Sequence, residues 1–487
     1  MGPAYLVVLI VCAAFAGRLI RLPYTGALGD LYWQQQLGRY IFEHHNLPTA
    51  LGAETFTAPG APWVPQEWLM GIVVYLAMSH GALWILGLLA TAALAVALLL
   101  TARRAQRFGA SGTGIAICVL LAMLSVEGSF GIRAQAFAWL FLASLLYTLD
   151  LEGPGAFAAL AIVVAWANVH ASVMLAVPVV WIDAAVALLQ RGAANAQARR
   201  KLALAALVPL ATLATPLGVE LPRYALMLVQ SPIRHSIEEW QPISPHATFF
   251  WYGAFPLVVL VVAGLRTLWR TCPRDLLWTA LLLAMTVGAA RNAALLAFVA
   301  APPAALAYTT LIARLRLPQT ASRVGPRRLA VAGGIVIAIV AFVWNVRAPI
   351  RPDDPQPPLA TLDRVAAMPG VHRVFCYDFS VCSVALAYGN LRVFMDGRAD
   401  PYPLAVWNDF NLVRNGRARW LDVLNAYGVD VVIARTGDPL DRGLRDRRDW
   451  TVQPKLDYCC RAYVRANRPL RSAQRGPNLA QRRRSSV

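Results

Sequence analysis

The residues able to do chemistry are few, and they fall between apolar runs. The chain has 487 residues, of which only 26 are Asp or Glu. The first acid is Asp30, directly after Gly29 and shortly past the first apolar run. A second acidic signal is SIEEWQP, Ser236 to Pro242, which contains Glu239. Two carboxylates from separate loops can share a divalent cation, Mg or Mn, through hard oxygen ligands. Either one can instead act as general base toward an acceptor hydroxyl or amide. Asp30 also has a plain reading as a helix-capping or interfacial carboxylate. Arg291, in MTVGAARNAALLAF, and Arg133, in FGIRAQAF, lie where a charge needs an anionic partner. A lipid phosphate or pyrophosphate is one such partner, because the guanidinium fork matches phosphate oxygens. A structural ion pair with Glu238 or Glu239 is the other. His170, in WANVHAS, reads more readily as a hydrogen-bonded structural residue than as a ligand.

These residues need a scaffold, and the composition says which kind. The chain is 58% hydrophobic and 15% charged, with mean hydropathy +0.50. A soluble domain carries about 25% charged residues, so this is a multi-spanning membrane protein whose partners include membrane lipid. The net charge of +19 would suggest nucleic acid in a soluble chain. That partner is rejected, because the arginines cluster in short connections between apolar runs, as cytoplasmic loops do. Placing all those clusters on one side requires about eleven crossings, with Trp68–Leu100 counted once and its first part along the interface. The N-terminus is then inside, as a retained first span or signal anchor, and the C-terminus outside. The opposite, external face collects Asp30, Glu67, Glu127, Arg133, His170, Glu238, Glu239 and Arg291. Ionisable residues gathered at span ends mark a functional site by default.

The stretch from Gly29 to Trp68 dominates that face. It holds Tyr32 and Trp33, an interfacial helix over Gln34–His45, and four later prolines that stiffen it. A loop of this length is functional or disordered, and its aromatic content argues for function. After Val346 the composition changes. APIRPDDPQPP reads as a linker, and VHRVFCYDF, SVALAYG, LRVFMDG, DVVIA and CCRAYV read as strands. Helix signals lie at Pro358–Met368 and Trp407–Tyr427, which makes a small α/β domain. The predicted organisation is a transmembrane domain over 1–346 with an external loop at 18–67, an external α/β domain over 347–467, and a basic disordered tail over 468–487. Among the seven cysteines no zinc spacing occurs. Oxidation of a pair among Cys376, Cys382, Cys459 and Cys460 is expected, though not between the adjacent two, where bridging strains the peptide.

The residues also carry a resemblance. GDLYWQQQLGRYIFEHHNLP followed by FTAPG resembles the first external loop of GT-C membrane glycosyltransferases, closest to the oligosaccharyltransferase catalytic subunit. SIEEWQP is similar to that family's S-V-x-E motif, through Ser236, Ile237 and Glu239. FCYDFSV, with Tyr377 and Asp378, is similar to its W-W-D-Y-G motif, and RVFMDGRADPYP to a feature of bacterial multi-spanning proteins of the GT-C type. The second-loop D-x-D of the family is absent, and VEGSFGIR offers only Glu127 there. The resemblance implies a polytopic α-helical GT-C-like fold and a bacterial inner-membrane enzyme. It would move a sugar from a polyprenyl-phosphate-linked donor to an unknown acceptor on the external face. Asp30 would be the base or a metal ligand, Glu239 the second acidic ligand and Arg291 a donor-phosphate contact. Arg133, His170, Glu67, Tyr377 and Asp378 would complete the substrate site. The alternative is a non-catalytic membrane protein, such as a lipid-linked glycan transporter or assembly subunit, whose acids form ion pairs.

Overall fold

The computed structural model describes residues 2–151, 157–315, 327–350, 354 and 356–466. The basic tail, parts of the linker, and Arg316 and Arg323 lie outside the described residues. The chain folds as an apolar helical bundle followed by a small α/β unit. The bundle opens with α1 (Pro3–Arg21), α2 (Leu28–His44), α3 (Trp68–Ser79), α4 (Leu83–Arg107) and α5 (Gly112–Val126). It continues through α6 (Ala134–Leu149), α7 (Ala158–Ala167), α8 (Ala176–Arg191), α9 (Ala196–Ala211) and α10 (Glu220–Gln230). It ends with α11 (Phe255–Ala263), α12 (Leu265–Thr271), α13 (Pro273–Gly288), α14 (Ala293–Arg314) and α15 (Arg327–Arg347). Local chemistry sets several starts. Pro occupies the first positions of α1 and α13, where its missing N–H costs nothing. The Ser111 and Asn195 side chains accept from the backbone N–H groups that open α5 and α9.

The expected eleven crossings do not appear as eleven full spans. Among the described residues four helical stretches are long and apolar enough to cross a membrane: Ala4–Arg21, Leu83–Arg107, Ala171–Arg191 and Ala290–Arg314. A fifth arises if Phe250–Ala263 and Leu265–Thr271, bent by 80°, count as one. The other apolar runs form shorter helices, because turns or irregular segments cut them below the roughly 20 residues that span a bilayer. Trp68–Leu100 divides into α3 and α4 at the Ser79–Ala82 break. The centre of the bundle is α14, buried continuously from Ala293 to Ala307. A helix apolar all round belongs in a core, and its many alanines let neighbours approach closely.

At the end of the bundle reached by the Arg-rich connections, a buried ionic network locks helices together. Arg104 donates to Asp150 at 2.8 Å and to Asp275 at 2.6 Å. Arg274 pairs with Asp150 and, at 2.8 Å, with Asp183, which also takes Lys201 at 2.7 Å. The acidic connection at Asp150, which gave no support to the charge-based topology, thus has a structural role. Three cations balance three anions, as burial of charge demands.

The C-terminal unit contains α16 (Leu359–Ala366), β1 (Arg373–Cys376), α17 (Phe379–Ala385), β2 (Arg392–Val393) and α18 (Leu404–Arg414). It continues with α19 (Trp420–Ala426), β3 (Val431–Arg435), α20 (Pro439–Arg445), β4 (Trp450–Val452) and β5 (Cys460–Arg465). The sheet order is β2-β1-β3-β5-β4, with β1 parallel to β2 and β3 and with β5 antiparallel to β3 and β4. SVALAYG, expected as a strand, begins within α17. Asp378 starts that helix by accepting from Ser380 N–H at 2.8 Å, an N-cap that outweighs the alternating apolar pattern. The single helix expected over Trp407–Tyr427 is two, separated by a turn through Gly416 and Arg419, both at positive φ. Cys376 and Cys382 form a disulfide, and Cys459 and Cys460 are paired too, contrary to expectation for neighbours.

The first polar loop is not a separate appendage. Tyr32, Trp33, Leu37, Leu51, Ala58 and Trp63 are buried in one core with Phe375, Phe394 and Trp407 of the C-terminal unit. The loop also extends the sheet: Val393 N–H donates to Glu54 O at 2.8 Å and Phe56 N–H to Val393 O at 3.2 Å. This covers the β2 edge, which would otherwise offer unpaired backbone groups.

Candidate active site

The loop, two helix ends and a motif of the C-terminal unit bring their charged side chains to one place. Asp30 lies in the first turn of α2, not at its cap. A Cβ at the preceding Gly29 would stand 2.8 Å from Ser380 Oγ, so only glycine lets α2 seat this closely on α17. Arg133, which precedes α6, reaches both candidate acids. Its Nε donates to Asp30 Oδ2 at 2.6 Å, while Nη1 and Nη2 lie 3.3 and 3.4 Å from the two Glu239 oxygens. Trp33 Nε1 donates to the other Asp30 oxygen at 3.3 Å. Arg291 stands 3.5 Å from Glu239 and lies over the Trp240 ring, 5.0 Å from its centroid.

The side chains of Asp30, Arg133 and Arg291 are 22%, 19% and 22% exposed, and that of Glu239 is 31% exposed. They are ordered by one another and still reachable by a ligand. Burial alone would raise the Glu239 carboxyl, but the Arg133 and Arg291 charges outweigh it and hold it down at about 2. Burial would likewise lower the Arg133 guanidinium, and Asp30 with Glu239 reverses that direction.

A second, less exposed group adjoins the first. Glu67 accepts from Gln34 and, at 2.9 Å, from Gln66, whose Oε1 accepts Ala171 N–H at 2.7 Å. His170 Nε2 lies 3.6 Å from Glu67. The Ser172 backbone N–H donates to His170 Nδ1 at 3.0 Å, which puts the neutral ring's proton on Nε2, facing Glu67. Burial first, then the Arg291 and Arg133 charges, push His170 down to about 3. Burial and the Asp30 charge push Glu67 up to about 7, against its hydrogen bonds from Gln66 and Gln34. Tyr224 of α10 faces Asp400, whose carboxyl burial likewise pushes up to about 7.

The motif RVFMDGRADPYP explains how Asp400 arrives. Arg398 forks onto Asp396, with Nη2 to Oδ2 at 2.6 Å, and reaches Glu54 of the first loop at 2.9 Å. Tyr402 donates to the same Asp396 oxygen at 2.7 Å. This buried clasp fastens the C-terminal unit to the loop and sets the next turn, with Ala399 at φ 59°, against the site.

Of the residues singled out in the sequence, Asp30, Glu67, Arg133, His170, Glu239 and Arg291 are brought together. Tyr377 and Asp378 have no bond to that group. Asp378 caps α17 and lies 3.7 Å from Arg414, although its helix rests against Gly29. Tyr224 and Asp400 were missed. The two carboxylates expected to share a divalent cation are bridged by Arg133 instead. The guanidinium takes the bridging position, and the described residues contain no cluster of three or more His, Cys, Asp or Glu able to hold a metal. This arrangement does not fit a cation between Asp30 and Glu239.

A polytopic helical bundle, with an α/β unit clasped over a charged site built from loops, is a GT-C-like membrane fold. Two solved GT-C glycosyltransferases are similar in structure. One is the archaeal oligosaccharyltransferase AglB from Archaeoglobus fulgidus, in complex with an inhibitory peptide and a dolichol-phosphate. It has a TM-score of 0.57 and 12% identity, over 88% of this chain and 69% of that one. The other is ArnT from Cupriavidus metallidurans in the apo state, with a TM-score of 0.51 and 13% identity, over 94% of this chain and 97% of that one. No family model matches the chain, and no curated protein matches it significantly.

Proposed function

We propose that the protein is a membrane glycosyltransferase that moves a sugar from a polyprenyl-phosphate-linked donor to an acceptor at the bundle end carrying Asp30. One observation carries this reading: Asp30, Glu239, Arg133 and Arg291 converge, partly exposed, where the first loop meets the C-terminal unit of a GT-C-like fold. Asp30 takes the proton of the acceptor hydroxyl or amide as that atom bonds to the anomeric carbon. The bond from that carbon to the phosphate oxygen breaks, and its electron pair leaves with the polyprenyl phosphate. Arg291, held only loosely by Glu239, receives the phosphate charge, and preorganised positive charge at a developing anion lowers the barrier. Arg133 holds Asp30 and Glu239 at a fixed spacing, in the place where Mg or Mn was expected. The sequence pattern supports an external site in a bacterial inner membrane, and a reporter fused after Val346 tests that orientation.

A non-catalytic membrane role has one observation in its favour: both candidate acids are engaged by Arg133, as structural ion pairs would be. Transfer of radiolabelled sugar from a panel of polyprenyl-phosphate-linked donors, with wild type against Arg291→Gln, separates the two. The proposal expects transfer by wild type and loss with the variant. Equal rates remove Arg291 from the mechanism, and no transfer from any donor favours the non-catalytic role.

A further inference from the structure

A second charged cavity lies at the same end of the bundle, between the ends of α1 and α5 and the turn before α11. Its volume is about 380 Å³, within the range of small-molecule sites. Phe15, Leu19, Leu124 and Phe249 supply apolar wall, and Arg18 and Glu127 supply opposite charges. Both charged side chains are exposed, and among the described residues neither has an ion pair or a side-chain hydrogen bond. Opposite charges that line one cavity and yet leave each other unpaired match a ligand that carries both signs. The cavity sits where two apolar helices end, the candidate span Ala4–Arg21 and the shorter α5, and span ends are where lipid headgroups are met.

We propose that this cavity binds a zwitterionic phospholipid headgroup with a phosphate and a primary ammonium, its acyl chains lying against the apolar wall. Arg18 pairs with the phosphate through its fork of N–H donors. Glu127 accepts hydrogen bonds from the ammonium, which a quaternary amine cannot donate. An anionic glycerol lipid has no ammonium to pair with Glu127 and leaves that carboxylate beside a net negative headgroup, and a soluble aminophosphate would leave the apolar wall uncovered. The site is separate from the Asp30 group and does not depend on sugar transfer.

The test is native mass spectrometry of the purified full chain, titrated with ethanolamine, choline and glycerol phospholipids of identical acyl chains. Wild type is expected to retain one ethanolamine lipid, with preference over the other two of about tenfold, the equivalent of about 1.4 kcal/mol. Arg18→Gln should lose most of that binding. Glu127→Gln should erase the preference for ethanolamine over choline and raise binding of the glycerol lipid. Thr248→Trp, which fills the cavity from an exposed position without changing charge, should weaken all three. Equal retention of the three lipids by wild type overturns the proposal. So does an effect of Arg18→Gln with an unchanged preference in Glu127→Gln, which would mark a general phosphate contact. Melting of each variant is recorded alongside, and both charged positions are expected to leave it unchanged.

Discussion

Arg133 Nε lies 2.6 Å from Asp30 Oδ2, and the other end of the same guanidinium faces both oxygens of Glu239. One cation therefore sets the distance between the two acids that the sequence marked for chemistry. Lysine keeps the charge but lacks the fork. Arg133→Lys should retain the fold and lose about tenfold to a hundredfold in transfer rate, a difference of about 1.4–2.7 kcal/mol. Arg133→Gln leaves Asp30 without its cation and Glu239 with Arg291 alone, and should also destabilise the chain by about 1.5–3 kcal/mol. Kinetics and thermal melting of the pair of variants check this. Full activity in Arg133→Lys would show that the spacing is not critical.

Glu67 makes stability depend on pH in a defined direction. Its carboxyl is raised from an ordinary value of 4.5 to about 7. Between those values the folded chain holds a proton that the unfolded chain has released, so this group's contribution falls as pH rises through the window. Glu67→Gln removes that loss. The melting difference between variant and wild type should therefore be more favourable to the variant at pH 8 than at pH 5. The same difference at both pH values would contradict a buried, protonated Glu67.

The clasp of Asp396, Arg398 and Glu54 should matter for assembly more than for chemistry. Asp396 is fully buried and Arg398 is 5% exposed on the side-chain scale. Removing one partner of a buried pair typically costs about 3–5 kcal/mol. Asp396→Ala should lower the melting temperature and open the Gly52–Gly60 segment to protease. An unchanged cleavage pattern would mean that the shared hydrophobic core alone holds the loop in place.

With a guanidinium between the acids, transfer should not need an added divalent cation. Activity after chelation and buffer exchange is expected to match activity in Mg or Mn. A loss restored by either metal would show that Arg133 moves aside and that Asp30 and Glu239 bind the cation first expected of them.

Much of this site was legible in the sequence because acids are few among the apolar runs before the linker. Asp30, Glu67 and Glu239 stood out in a chain with 26 acidic residues, and the arginines opposite them needed partners. Which arginine met which acid was not legible, because the pairing of Arg133 with Asp30 depends on how the turns before α2 and α6 meet, with Gly26 against Phe130 and Gly131 against Thr25. Tyr224 was hidden in α10, a short amphipathic helix with buried Leu221 and Tyr224 and exposed Leu226 and Met227. Asp400 lay inside a motif whose similarity was noted and whose role was not, since the Arg398 clasp joins residues hundreds of positions apart. The number of crossings failed for a related reason. Hydropathy locates apolar runs, but the turns that shorten them respond to neighbours in the bundle. In the C-terminal unit four of the five strands overlapped expected runs, two of them running one residue further, and α17 was misread because a single Asp cap decided a segment that alternates like a strand.

The most direct test is Asp30→Asn, which keeps the size of the side chain and its capacity to accept from Arg133 but removes the charge. Purified variant and wild type are compared for transfer of radiolabelled sugar from a polyprenyl-phosphate-linked donor that wild type uses, with melting recorded on the same samples. Loss of a general base costs about 10²–10⁴ in rate. A loss in that range with melting near that of wild type is the expected result, and wild-type turnover by Asp30→Asn would remove Asp30 from the chemistry.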